Sequence, residues 1–163
     1  MKRKLFITLA LVAITLTATS QSINVFMGGA TKKTVLIGME LRSDNFGFYV
    51  SRYYNKVDLP KRVNSQYTSR IPGYILYDGI MLGVNKHVEC MSEINLFGGV
   101  GLLNEYYIYN EGQGKQSMTK NQKFAYELGA GKDFRVNHMN IGLKFGVNSC
   151  TSIFGALSVG YGF

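Results

Sequence analysis

From residue 22 onward, apolar and polar side chains alternate along the chain. A period of two is the repeat of a β-strand, in which successive side chains point to opposite faces. Residues 138–148 are the clearest instance. Met139, Ile141, Leu143, Phe145 and Val147 share one face, and His138, Asn140, Gly142, Lys144, Gly146 and Asn148 share the other. The same alternation runs through 33–42, 91–102, 123–132 and 152–163, and with more noise through 22–29, 45–54 and 74–85. Arg52 interrupts the apolar parity of 45–54, and Asp78 that of 74–85. No stretch carries a helical period of useful length. The pattern predicts eight strands, and strands so regularly spaced imply a sandwich or a barrel.

The connections favour a barrel. They fall at 30–32, 43–44, 55–73, 86–90, 104–122, 133–137 and 149–151, so both long ones are odd-numbered and every even-numbered one is short. An all-β, eight-stranded antiparallel up-and-down transmembrane barrel with both termini at the periplasmic end has this rhythm, because its periplasmic turns are short and its outer loops longer. Pro60 and Pro72 both fall in the first long connection, where no ladder donor is missed. In the second, Tyr106 and Ile108 keep the apolar parity, so part of 105–110 is expected to extend the strand, with a flexible tip at 110–115.

Alternation fits two opposite objects, a soluble barrel with a greasy centre and a membrane barrel with a greasy exterior. The polar face decides for the second. It is built of Gly, Ser, Asn and Ala with a few charges, which suits a narrow lumen, and charged residues are only 17% of the chain. Aromatic residues gather near strand ends, Phe46, Phe134, Tyr161 and Phe163 at one level and Tyr53, Tyr54, Tyr74, Tyr106 and Tyr107 at the other, as interfacial girdles would. Leu157, Val159, Tyr161 and Phe163 occupy the apolar register of the last strand. In this the chain resembles bacterial outer-membrane barrel proteins, whose last strand ends in an aromatic residue. By size it is similar to the small barrels of the OmpX type or the OmpA transmembrane type. The resemblance implies that this strand is read by the barrel-insertion machinery and that the protein sits among outer-membrane lipids. It covers the mature chain as architecture and does not assign a subfamily.

Residues 1–20 are expected to be a signal peptide, with 21–163 as the barrel domain. Lys2, Arg3 and Lys4 precede an apolar run over 5–16, and Ala18 and Ser20 supply small residues at the cleavage site. Cleavage there lowers the formal charge from +8 to +5 and leaves no long basic run, which argues against a nucleic-acid partner. Cys90 and Cys150 fall at opposite barrel ends, roughly 25–30 Å apart at the usual strand rise. Two unpaired thiols are expected, with no metal site and no cofactor.

Candidate chemistry divides between lumen and loops. Glu40, Arg42, Glu93, Lys123, Glu127 and Lys144 fall on the inward face, where isolated charge is costly. A turn centred at 135–136 would set Glu127 opposite Lys144 in a salt-bridge network that plugs the barrel, and eight filled strands leave no continuous channel. The 55–73 loop holds Lys56, Lys61, Arg62 and Arg70 against Asp58, a basic surface for lipid headgroups, a surface polysaccharide or a surface protein. The loop over 104–122 is neutral. These features point to a non-enzymatic barrel with a structural or surface-interaction role through the two loops. The alternative is a lipid-modifying enzyme, an acyltransferase or deacylase. His87 and His138 share the periplasmic level with Ser43, Ser92 and Asp133, but no spacing specifies a catalytic set and no G-x-S-x-G elbow is present. A soluble periplasmic ligand-binding barrel is a third reading.

Overall fold

The computed structural model describes residues 22–43, 46–55, 74–88, 94–112 and 115–163, with the side chains of 74, 110–112 and 115–117 outside that description. Eight strands follow in chain order: β1 (Ser22–Ala30), β2 (Thr34–Arg42), β3 (Phe46–Tyr54), β4 (Tyr74–His87), β5 (Ile94–Gly112), β6 (Lys115–Val136), β7 (Met139–Asn148) and β8 (Ser152–Gly162). Each pairs antiparallel with the next, and β1 pairs with β8, so the sheet closes on itself with no edge through the barrel wall.

The parity of each strand decides which side chain goes where. Leu143, Phe145 and Val159 are 40%, 60% and 52% exposed on the outer wall, whereas Glu127 and Lys144 are 2% and 5% exposed inside it. A soluble protein does not turn a continuous band of Leu, Val, Ile and Phe outward, because that surface costs roughly 25 cal/mol per Å² in water. Hydrocarbon around the wall removes that cost. The band ends sharply on the outer side. Ile80, Leu102 and Phe124 form one exposed apolar row across β4, β5 and β6, and the next outward row is Asp78, Asn104 and Gln122.

Beyond that row β5 and β6 continue as a ladder to Gly112 and Lys115, joined by residues 113–114. The expected 104–122 loop is therefore a strand hairpin. Its period was weak because, apart from Tyr106, Ile108 and Met118, polar residues occupy both faces outside the membrane. Tyr74–Tyr77 of β4 pair with Glu105–Ile108 of β5, making a three-stranded sheet that rises past the membrane band. Leu76, Ile108 and Met118 keep the outward parity but are buried together above the band, packed by Tyr106.

Short turns join β1 to β2, β6 to β7 and β7 to β8. Asn137 closes the β6–β7 turn with φ at 56°, a left-handed conformation that Asn tolerates better than most residues, and Lys33 and Ser152 do the same at 54° and 68°. The lumen differs from expectation. Besides small and charged groups it holds Phe26, Leu36, Tyr49, Tyr53, Met81, Phe97, Leu103 and Phe154, an apolar core inside the barrel. Their parity was inward in the sequence, but the abundance of Gly, Ser and Asn on the same face concealed them.

Candidate functional site: the filled lumen and the outer rim

Four inward rings cross the barrel at mid-height. Phe26 lies opposite Gly38, Tyr49 opposite Gly83, Phe97 opposite Gly129 and Phe154 opposite Gly146, one pair in each of the hairpins β1–β2, β3–β4, β5–β6 and β7–β8. A Cβ at any of these glycines would overlap the ring facing it. The inward glycines are thus the recesses into which the rings fold. The rings meet edge-on in series, Phe26 to Tyr49 at 6.2 Å, Tyr49 to Phe97 at 6.0 Å, and Phe97 to Phe154 tilted at 5.9 Å between centroids. Such contacts are worth about 0.5–1.5 kcal/mol each beyond area burial. The cavity left among them is about 10 Å³, room for one water at most.

Lys144 reaches into this layer. Its Nζ stands 4.5 Å from the Phe26 ring centre, 5.6 Å from Phe97 and 5.8 Å from Tyr49. It is ion-paired with Glu40, whose carboxylate is fully buried. Glu40 also accepts from Arg42 Nε at 2.7 Å, and Arg42 extends the chain to Asp133, which Asn95 bonds as well. The result is a continuous row, Lys144–Glu40–Arg42–Asp133, in which each charge faces its opposite. Buried ions need such company, because desolvation costs several kcal/mol per ion.

Glu127 does not join that row, and the expected Glu127–Lys144 pair does not form. The β6–β7 turn lies at Asn137–His138 rather than 135–136, which moves the register by four residues. Glu127 then faces Asn148, and Lys144 faces Gly131. The Glu127 carboxylate instead accepts from Tyr49 Oη at 2.7 Å, Tyr53 Oη at 2.6 Å and Asn148 Nδ2 at 3.4 Å. Tyr53, expected in the outer girdle, is fully buried in this role. Sequence reasoning missed Tyr49, Tyr53 and Asp133 as partners of the lumenal charges; their inward parity was the available signal.

Lys123, also expected in the lumenal network, sits at the outer mouth. It is 45% exposed and bonds Glu105 at 2.8 Å, with Tyr107 Oη donating to the same carboxylate at 2.6 Å. Tyr107 is therefore turned inward rather than into a girdle. Burial pushes the Glu105 carboxyl up, but the bonds from Lys123 and Tyr107 and the Lys123 charge outweigh it and hold the group below the ordinary carboxylate range. Phe46, Phe134, Tyr161 and Phe163 are exposed at the end of the barrel where β1 begins and β8 ends, and Leu157 and Val159 lie on the same outer face of β8. Glu93, Cys90, Ser92, Lys56, Lys61, Arg62, Arg70 and residues 1–20 fall outside the described residues. Cys150 is buried with a free thiol.

The two residues that broke the alternation meet each other. Arg52 and Asp78 both point outward, Arg52 opposite Ile80 of the last apolar row and Asp78 in the row beyond it, and Arg52 Nε donates to Asp78 Oδ1 at 3.1 Å. At the end where β1 begins and β8 ends, the catalytic alternative finds no assembly among the described residues. His87 Nδ1 lies 3.2 Å from Asn95 Oδ1, His138 stacks on Tyr161, and Asp133 is occupied by Arg42 and Asn95.

No family model matches the chain, and no curated protein matches it. Solved structures do. The outer membrane protein Ail of Yersinia pestis, determined in a phospholipid bilayer nanodisc, superposes with a TM-score of 0.50 at 14% identity, covering 88% of this chain and all of Ail. The N-terminal β-barrel domain of Pseudomonas aeruginosa OprF aligns at 14% identity with a TM-score of 0.47, over 89% of this chain and 98% of that domain. Neisserial surface protein A aligns at 13% identity with a TM-score of 0.41, over 87% and 94%. At such identities the likeness is one of fold. The chain has the fold of a small eight-stranded antiparallel transmembrane β-barrel.

Proposed function

We propose that this chain is a non-enzymatic barrel of the bacterial outer membrane that serves as a closed anchor for an outer surface. The observation that carries the reading is the filled lumen. Four rings, the Lys144–Glu40 pair and the Tyr–Glu127 cluster leave about 10 Å³, so the wall supports what lies beyond it rather than conducting through it. A rigid frame of this kind leaves recognition to the segments it displays. These are the 55–73 loop, whose Lys56, Lys61, Arg62 and Arg70 suit an anionic polysaccharide or an acidic surface protein, and the β5–β6 hairpin over 104–122. The hairpin offers a specific feature. β6 pairs with β5 from Lys115 but with β7 only from Glu127, so among the described strands its outer half is unpaired along one side. Lysines on such an edge oppose pairing with further copies, and Lys120 is exposed there. An extended acidic segment is the partner that edge fits.

Export by the 1–20 segment and insertion through the Leu157–Phe163 strand belong to the same proposal. Membrane fractionation, followed by gel electrophoresis with and without heating and by planar-bilayer recording, tests it. The expected result is a heat-shifted band in the outer-membrane fraction and no resolvable channel. Recovery in the soluble fraction without detergent, or stable open channels, overturns it.

A further inference from the structure

The outer wall carries a groove that the filled lumen does not use. Arg52 and Asp78 stand on the lipid-facing side of β3 and β4, where alternation would otherwise place apolar side chains, and they share a single hydrogen bond through Nε. Among the described residues no other acceptor engages the terminal nitrogens of Arg52, whose side chain is 61% exposed. A guanidinium anchored at Nε presents its far edge as a planar fork that matches two phosphate oxygens. Beneath it a cleft of about 620 Å³ opens between β4 and β5, with Asp78, Asn104 and Gln122 at its rim and Leu82, Val100 and Leu102 along its floor. A second cleft of about 460 Å³ shares Leu82 and Val100 and continues toward the membrane centre. There Gly98 leaves a gap in the outward row between Val84 and Leu128. Asp78 to Val84 is about 20 Å of strand at roughly 3.3 Å per residue. At the ~40° tilt of such barrels that is about 15 Å of depth, half of a ~30 Å hydrocarbon core.

We propose that this groove is a binding site for one anionic phospholipid, with the phosphate on the Arg52 fork and an acyl chain laid along Leu102, Val100 and Leu82 to the gap at Gly98. The proposal rests on the membrane reading above. Charge and shape both select the occupant. The guanidinium stands level with Ile80 and Leu102, is more exposed than the Asp78 carboxylate above it, and the floor below is apolar for the depth of one leaflet. Asp78 orients the guanidinium and lowers its net charge, so it tunes the site without being the phosphate ligand.

The full chain is folded in bilayers of phosphatidylglycerol and phosphatidylcholine, extracted in mild detergent, and weighed by native mass spectrometry for lipid that stays bound. Only variants that keep the heat-shifted band are compared, so a failure of the membrane reading shows first on the gel and a failure of the site shows only in the spectrum. The wild-type barrel is expected to retain one phosphatidylglycerol in preference to phosphatidylcholine. Arg52→Gln lowers that occupancy at least fivefold. Gly98→Leu, whose Cβ meets the movable end of Leu128 at 3.0 Å and the Glu127 carbonyl oxygen at 3.6 Å, lowers it with Arg52 intact. Asp78→Asn keeps or raises it, and Lys86→Gln, exposed near the periplasmic end of β4, leaves it unchanged. Equal occupancy in wild type and Arg52→Gln overturns the proposal, as does equal loss in Lys86→Gln, which would describe a fluid annulus with no site.

Discussion

An ammonium enclosed by rings is stable only while its counter-ion stays. Glu40→Gln leaves Lys144 charged against Phe26, Tyr49 and Phe97 with no carboxylate, and removal of one partner of a buried pair costs about 3–5 kcal/mol. The second change Lys144→Met is expected to restore most of that loss, because a thioether fits an aromatic pocket without a charge. Reversible urea unfolding from lipid vesicles measures both. Gly83 makes a steric test, since its missing Cβ is the space occupied by the Tyr49 ring and hydroxyl. Gly83→Ala should destabilise by about 1–3 kcal/mol through overpacking, and adding Tyr49→Leu should remove the clash while freeing Glu127 of one donor. At this scale the sequence was half readable. The inward positions of Glu40, Glu127 and Lys144 followed from parity alone. Their partners did not, because Lys144 meets Glu40 across the lumen, and a contact between β7 and β2 exists only once the sheet has closed.

Elements were legible wherever the membrane forces an apolar face, and least legible where it does not. β1 to β4, β7 and β8 lie within a few residues of the expected strands, whereas β5 and β6 run far beyond theirs. Their extra length carries an apolar period only as far as Tyr106, Ile108 and Met118, and pairs mainly polar residues otherwise. The β6–β7 turn fixes register through one left-handed residue. Asn137→Gly is expected to be neutral or mildly stabilising, and Asn137→Val to cost about 1–2 kcal/mol, since a branched side chain resists positive φ. The hairpin mouth carries the pH dependence. A carboxyl held below its usual range contributes stability that is present above the unfolded value and is lost as pH falls through the folded one. Amide protection factors in β5 and β6 beyond Asn104, taken relative to the intrinsic exchange rate at each pH, should therefore fall as pH drops below the ordinary carboxylate range, while those of the band below Leu102 hold. Uniform exchange along both strands across that range would contradict this.

For the whole molecule, the decisive quantity is which side of the wall is greasy, and the sequence carried it in the makeup of its polar face. Gly, Ser and Asn are too small and too sparsely charged to clothe a water-facing exterior, yet they leave the recesses that rings require. The seam where the chain's first and last strands meet repeats the device. Gly28 lies opposite Ala156, and Gly29 opposite Gly155. A Cβ on Gly28 would strike the backbone of Gly155, which cannot swing aside as a side chain can. Gly28→Val should slow folding into vesicles and reduce the heat-shifted fraction, and a wild-type rate would remove the seam from the argument.

The pairing of each ring with a glycine in its own hairpin bears on how the cylinder is assembled. Phe26, Tyr49, Phe97 and Phe154 can each settle before distant strands arrive, so no bulky group has to be threaded past a neighbour at the end. What remains for the final step is to zip the first strand to the last, and where Gly28 and Gly29 meet Ala156 and Gly155 the two margins of the hoop close on almost bare main chain.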